Sequence, residues 1–135
     1  MIVFKYRREK GRLGQSVKRP VALVNFQNSQ HQWVSQNLYI DSGADITLIP
    51  LSMGKLLGFE ISPEESLREI GGISSTIPVV SRNLRIKIGE KELEIEAAWA
   101  LSEEVPPLLG RKDVFDAFEV IFNQQKETIS FREIA

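Results

Sequence analysis

The chain has 135 residues, of which 42% are hydrophobic and 26% charged, and its net charge at pH 7 is -1. This length suits one domain with a single core, and the composition is that of an ordinary soluble protein. The absence of Cys excludes disulfides, Cys-ligated metal centres and thiol catalysis, and the near-zero net charge gives no indication of binding to nucleic acid or membrane.

The start of the chain is polar and basic. It lacks the long apolar stretch of a signal peptide, and no apolar run approaches the roughly 20 residues of a membrane span. We therefore predict a cytoplasmic protein without a membrane segment. Residues 1–12 are predicted to be an N-terminal extension in which the basic run 7–12 is a solvated loop, with docking of a substrate or partner as the alternative. Residues 13–135 are predicted to form one domain.

The periodicity of apolar residues predicts mostly short β-strands. Apolar and polar residues alternate in several segments that are bounded by turn residues, as in half-buried strands. The predicted strands are 21–26, 33–40, 84–88, 93–99, 119–122 and 128–131. Two short helices are predicted, from Pro50 to Leu57 and from Asp113 to Phe118. The pattern favours a mainly β protein, built as a small closed barrel.

The single histidine limits the catalytic chemistry that is available. His31 lies in the polar run 28–32, which is typical of a hairpin tip, and it is predicted to be a solvated loop residue. A Ser-His-Asp triad would require this one histidine. A catalytic site in the chain is therefore expected to depend on carboxylates.

Asp41 is the main candidate for such a carboxylate. It follows an apolar strand, and Ser42, Gly43 and Ala44 separate it from a second carboxylate, Asp45. Ser42 offers a hydroxyl and Gly43 an unobstructed backbone to hold the carboxylate, as an acid that shares a proton requires. A strand-end Asp before Ser-Gly is also a common turn former, so the motif alone leaves both interpretations open.

Two further segments accompany this motif in the order expected of one protein family. Ile70-Gly71-Gly72-Ile73 lies in a predicted hairpin, and Leu108-Leu109-Gly110-Arg111 precedes the second predicted helix. With Asp41-Ser42-Gly43-Ala44-Asp45, these segments resemble the active-site motif, the flap and the Gly-Arg segment of retropepsins, the retroviral type of aspartic protease. The resemblance covers about residue 18 to the C-terminus, and the chain looks most like the free-standing cellular relatives found in prokaryotes.

The resemblance implies a barrel of the acid-protease type with a β-hairpin flap, and it implies roles for particular residues. Asp41 would be catalytic, with Ser42, Gly43 and Arg111 supporting the site. Arg111 would pair with Asp45, and Arg19 is a candidate to reach Asp45 from the other subunit. The residues expected to contact substrate are Ala44, Asp45, Gly71, Gly72, Ile73 and Leu109. Ile73, Ile77 and Leu109 would give the cleft apolar walls.

The chain contains one copy of the Asp-Ser-Gly-Ala motif, whereas the two-carboxylate chemistry of aspartic proteases needs two. The resemblance therefore implies a homodimer with two Asp41 residues on its axis, in which the C-terminal strand joins an intersubunit sheet. Such an enzyme would cleave extended peptides or unfolded protein segments with no cofactor or metal. The alternative function is a catalytically silent, dimeric peptide-binding module of the same fold. A protease domain cut from a longer chain is a third interpretation.

Overall fold

The computed structural model describes residues 1–71 and 76–134. In those residues the chain forms mainly β-strands and two short helices. The strands are β1 (Ile2–Lys5), β2 (Arg7–Lys10), β3 (Ser16–Arg19), β4 (Val21–Gln27), β5 (Trp33–Ile40), β6 (Thr47–Ile49), β7 (Arg68–Gly71), β8 (Thr76–Ile88), β9 (Lys91–Ala100), β10 (Leu108–Leu109), β11 (Phe118–Asn123) and β12 (Thr128–Glu133). The helices are α1 (Leu51–Leu56) and α2 (Val114–Ala117), each within a predicted helical segment.

The main sheet closes on itself. Its strand order is β4-β5-β10-β6-β9-β8-β7, and β4 also pairs with β8, so that six of the strands form a closed barrel and β7 extends beyond it. The longest strand pairing in the barrel is that of β8 with β9, which form a hairpin with its turn at Gly89 and Glu90. The predicted fold class, a mainly β protein built as a small closed barrel, is confirmed.

The barrel interior is filled by branched aliphatic and aromatic side chains, and α1 is tightly seated against it. Trp99 is 1% exposed, and its indole Nε1 donates a hydrogen bond of 3.2 Å to the Leu51 carbonyl at the start of α1. A Cβ at Gly54 would overlap that indole, so the glycine allows the helix to approach β9. Gly58 follows the helix with φ of 90°, a conformation that glycine adopts without strain.

The two ends of the chain meet in a separate three-stranded sheet with the order β1-β12-β11. Strand β12 is its central strand, and Ile129 and Phe131 on β12 are fully buried. Both edges of β12 are paired within the chain, by β1 and by β11, so the predicted intersubunit sheet would have to form along β1 or β11 and not along β12. The strand stabilises the single chain instead.

The basic N-terminal segment is folded. Strands β2 and β3 form an antiparallel hairpin, and Arg7 lies opposite Arg19. The prediction of a solvated loop at 7–12 is therefore wrong for residues 7–10, whose backbone groups are paired with β3. His31 conforms to its prediction, since it is exposed in the turn between β4 and β5.

Arg82 on β8 connects the loop between α1 and β7 to the barrel through polar and aromatic contacts. Its guanidinium pairs with Glu65, donates a hydrogen bond of 2.5 Å to the Glu60 carbonyl and stacks over the Trp99 ring at 5.5 Å. The Arg82 hydrogen bond holds the pKa of Glu65 below its ordinary value. Because this loop leads directly into β7, the Arg82 contacts determine where the β7–β8 hairpin begins.

We expect the Glu65–Arg82 pair to make the protein sensitive to acid. A carboxyl group with a lowered pKa contributes stability above its unfolded-state pKa, and the contribution is lost as pH falls through the folded-state pKa. Glu65→Gln should therefore lose less thermal stability than the wild type between pH 7 and pH 3. Glu64→Gln is the matched control, since Glu64 makes no ion pair with the described residues and should leave the wild-type pH profile unchanged. Parallel profiles for wild type and Glu65→Gln would contradict this account.

Candidate active site

Asp41 is held at the end of β5 by backbone contacts on both sides. Its N–H donates a hydrogen bond of 3.1 Å to the Leu109 carbonyl, and its own carbonyl accepts one of 3.2 Å from the Ala44 N–H. Its carboxylate Oδ1 accepts a hydrogen bond of 2.9 Å from the Gly43 N–H. The Asp41 side chain is half-buried and faces a pocket, so one carboxylate oxygen is anchored while the residue stays accessible.

The loop that carries Asp41 is tied to the segment Gly110–Arg111. Thr47 is fully buried, and its Oγ1 accepts a hydrogen bond of 3.1 Å from the Gly110 N–H. The Arg111 N–H donates one of 2.9 Å to the Ala44 carbonyl. A Cβ at Gly110 would overlap the backbone at Ile46, so only glycine allows this approach. Thr47 was not predicted to belong to the site, although a lone hydroxyl in the apolar run 46–49 is a visible sequence signal.

The Arg111 guanidinium forms the predicted ion pair with the Asp45 carboxylate. Both side chains are exposed, Asp45 by 87% and Arg111 by 52%. Ser42 beside them is exposed as well. In the single chain, therefore, Ser42 and the Asp45–Arg111 pair form an open polar surface next to Asp41.

Because the Asp45–Arg111 pair is exposed, we expect it to contribute little to the stability of the single chain. Arg111→Lys should change the free energy of unfolding of the dilute protein by no more than about 0.5 kcal/mol, as is usual for surface ion pairs. Activity or self-association should fall much more, because lysine cannot make the forked contact of a guanidinium. Denaturant unfolding and sedimentation measure the two effects.

Arg132→Lys is the control for this variant, since Arg132 forms a similarly exposed pair with Glu119 on the terminal sheet. It should affect neither property. If Arg111→Lys also matched the wild type in activity and self-association, the role assigned to the Asp45–Arg111 pair would be wrong.

A pocket of about 530 Å³ adjoins Asp41. Its lining residues come from the N-terminal hairpin, the end of β5 and the segment before and within β10: Glu9, Arg19, Pro20, Tyr39, Ile40, Asp41, Pro106 and Leu108. Leu109, predicted to line the cleft, is fully buried in the barrel core. Side chains alternate along a strand, so its neighbour Leu108 lines the pocket instead.

One wall of the pocket is polar, and its hydrogen-bond network was not predicted from the sequence. The Tyr39 hydroxyl donates a hydrogen bond of 2.8 Å to Glu9 and accepts one of 3.0 Å from Arg7. Arg19, expected to reach Asp45 of another subunit, contacts Glu9 of its own chain at 3.5 Å. The Tyr39 hydrogen bond, followed by that from Arg7, holds the pKa of Glu9 below its ordinary value. This wall of the pocket is therefore polar and charged.

Part of the segment predicted to form a flap lies in β7 and β8, which pair antiparallel. Gly71, at the end of β7, is paired with Thr76 at the start of β8. Gly72 and Ile73, both predicted to contact substrate, lie outside the described residues. Ile77 is half-buried and packs with Ile70 against a small apolar cluster that includes Leu48. The base of the hairpin is therefore anchored on the barrel.

Across residues 1–71 and 76–134, no group of three or more His, Asp or Glu side chains is arranged to hold a metal ion. Neither α1 nor α2 has the length and apolar character needed to cross a bilayer.

Comparison with known proteins identifies the fold. No family model and no curated protein matches the sequence. Among solved structures, a retropepsin-like aspartic protease from Rickettsia conorii is 18% identical with a TM-score of 0.65, and the match covers 95% of each chain. EIAV protease, solved with the inhibitor HBY-793, is 21% identical with a TM-score of 0.58, and the match covers 73% of this chain and 88% of the other. The chain therefore has the fold of the retropepsin-like aspartic proteases.

Proposed function

We propose that the protein is an aspartic endopeptidase whose active site is formed by the Asp41 residues of two chains. The observation that carries the proposal is the setting of Asp41 on this fold. Its carboxylate is anchored by the Gly43 N–H, in a loop tied to Gly110, and it opens onto a pocket large enough for a peptide side chain. The fold relatives that share this architecture are aspartic proteases.

The proposed chemistry needs two carboxylates around one water. An ionised Asp41 takes a proton from the water as the water oxygen attacks the scissile carbonyl carbon. The protonated Asp41 of the second chain donates a hydrogen bond to the carbonyl oxygen. Two carboxylates at such short range repel each other when both are ionised, so the proposed site holds one shared proton. The resulting tetrahedral intermediate breaks its C–N bond as the first Asp41 passes to the leaving nitrogen the proton that it took from the water, which restores the starting state of the pair.

The need for a second chain follows from the sequence and is compatible with the exposed surface beside Asp41. The chain supplies one Asp-Ser-Gly-Ala motif. Ser42, Asp45 and Arg111 are exposed around it, so a second copy related by a two-fold axis would cover them and bring the two carboxylates together. In this proposal Gly43, Ser42 and Arg111 support the site.

The proposed substrate is an extended peptide or an unfolded protein segment. A strand-like peptide can pair its backbone with the hairpin of β7 and β8, for which Gly71, Gly72 and Ile73 remain the proposed contacts together with Ala44 and Asp45. Leu108 replaces Leu109 as the proposed apolar contact in the pocket, because Leu109 is fully buried.

The test is cleavage of a denatured protein by the purified chain near pH 5, with and without pepstatin. We expect fragments whose formation pepstatin suppresses, while chelators and serine or thiol reagents have no effect. Binding of the denatured protein without cleavage, over a range of substrates and pH values, would favour the peptide-binding module. Cleavage that pepstatin leaves intact but a serine reagent abolishes would contradict the proposal.

A further inference from the structure

Charge is strongly segregated along this chain. The N-terminal hairpin, defined here as residues 7–19, contains six of the 17 Lys and Arg residues but only one of the 18 Asp and Glu residues. Its net charge is therefore +5, whereas the remaining residues carry eleven cations and 17 acids, a net charge of -6. The overall charge of -1 conceals this difference.

Cationic side chains lie opposite one another in the hairpin, where they repel each other. Arg7 lies directly opposite Arg19, and Arg8 directly opposite Lys18. Like charges at opposed positions of two strands destabilise the pair. One carboxylate offsets each repulsion. Glu9 contacts Arg7 at 2.7 Å and Arg19 at 3.5 Å, while Glu127, in the turn between β11 and β12, contacts Arg8 at 3.1 Å and Lys18 at 3.5 Å.

Two carboxylates cannot neutralise six cations. Lys10 and Arg12, near the tip of the hairpin, are exposed and form no ion pair with any of the described residues. The hairpin therefore keeps an excess of positive charge even when its ion pairs with Glu9 and Glu127 are taken into account. An arrangement that opposes like charges and still leaves two cations free is unfavourable for folding alone, which indicates a role in binding.

The hairpin is placed where it can act on a substrate. Glu9 and Arg19 line the pocket beside Asp41, and Tyr39, two residues before Asp41 on β5, is hydrogen-bonded to Glu9. A peptide that leaves this pocket on the hairpin side would pass the cationic surface. The positive charge of the hairpin would attract acidic residues of that peptide without direct contact. At low salt this attraction would strengthen binding and raise the rate of association.

Building on the proposed function, we propose that the hairpin is a cationic exosite that recognises acidic residues of the substrate, several positions from the scissile bond. The preferred substrates are unfolded segments that carry a run of Asp or Glu beside an apolar cleavable core. The free side chains of Lys10 and Arg12 supply the attraction, while the bridges through Glu9 and Glu127 hold the hairpin in place.

Binding is measured by fluorescence anisotropy on the Asp41→Asn protein, so that peptides stay intact. Two labelled peptides share one apolar core and differ in a flanking run of Glu or of Gln. We expect the Glu peptide to bind about tenfold more tightly at about 20 mM salt, and the difference to fade at about 200 mM salt. Adding Lys10→Gln and Arg12→Gln should weaken Glu-peptide binding about fivefold, with the Gln peptide unaffected.

The control adds Lys55→Gln and Lys87→Gln, which remove the same charge outside the hairpin and should preserve the preference. Equal binding of the two peptides, or an equal loss in the control, would overturn the proposal. The proposal would also be overturned if a single-stranded oligonucleotide or anionic vesicles bound more tightly than the Glu peptide, and if Lys10→Gln and Arg12→Gln weakened that binding. Salt-sensitive self-association in sedimentation, lost in the same variant, would assign the hairpin to a second copy instead.

Cleavage assays separate this proposal from the proposed function. The wild type is given both peptides after a cleavable core has been identified in a denatured protein. Cleavage of both at equal kcat/KM would leave the protease standing and remove the exosite. Flank-dependent binding without any cleavage would keep acidic recognition and remove the protease.

Discussion

A chain that ends at residue 126 is expected not to fold. It loses β12, the central strand of the terminal sheet, and with it Ile129 and Phe131, which are fully buried. The Phe131 ring meets Phe4 and Phe118 edge to face, at centroid distances of 5.9 Å and 5.5 Å. Removing one buried Phe side chain alone costs about 3–5 kcal/mol, a large part of the roughly 5–15 kcal/mol that stabilises a typical domain.

Circular dichroism and denaturant unfolding measure this effect. The control is a chain that ends at Glu133, which keeps all of β12 and loses only residues 134 and 135. It should unfold cooperatively, with a midpoint near that of the wild type. A cooperative transition in the chain ending at residue 126 would show that the terminal sheet is not part of the structural core.

Asp41→Asn is expected to abolish cleavage while preserving the fold. The asparagine Oδ1 can still accept the hydrogen bond from the Gly43 N–H, so the loop should keep its conformation. The amide cannot take a proton from water, and the loss of general acid–base catalysis should reduce kcat by at least about a thousandfold. Thermal unfolding should match the wild type or rise slightly, because like-charge repulsion between two Asp41 residues is removed.

Asp116→Asn, an equivalent change at an exposed carboxylate of α2, is the control and should leave activity unchanged. Wild type and both variants are purified identically and compared on one unfolded protein. Equal cleavage by wild type and Asp41→Asn would mean that the activity belongs to a contaminant or to another site.

Local patterns in the sequence were sufficient to predict several of the strands and both short helices, because each such pattern lies in adjacent residues. Alternation at 84–88 and 93–99 specified the β8–β9 hairpin, and Gly89 specified its turn. The pairing of Asp45 with Arg111, which the resemblance implied, is also present.

The remainder depended on pairings between distant segments, which no local pattern encodes. Leu108 and Leu109 are both apolar, and only the register of β10 against β5 decides which one faces the pocket. The contact of Tyr39 with Glu9 joins residues 30 positions apart. The basic run at 7–12 is visible in the sequence. Its position near Asp41, however, results from the pairing of β2 with β3, which no local pattern predicts.

The most direct test of the central claim is whether one active site needs Asp41 from two chains. Wild-type and Asp41→Asn chains are unfolded together in equal amounts, refolded and assayed on a denatured protein. If catalysis needs both carboxylates, only dimers of two wild-type chains are active, and activity should fall to about a quarter of that of the same total amount of wild type. Activity of about one half, the value for chains that act independently, would contradict the account.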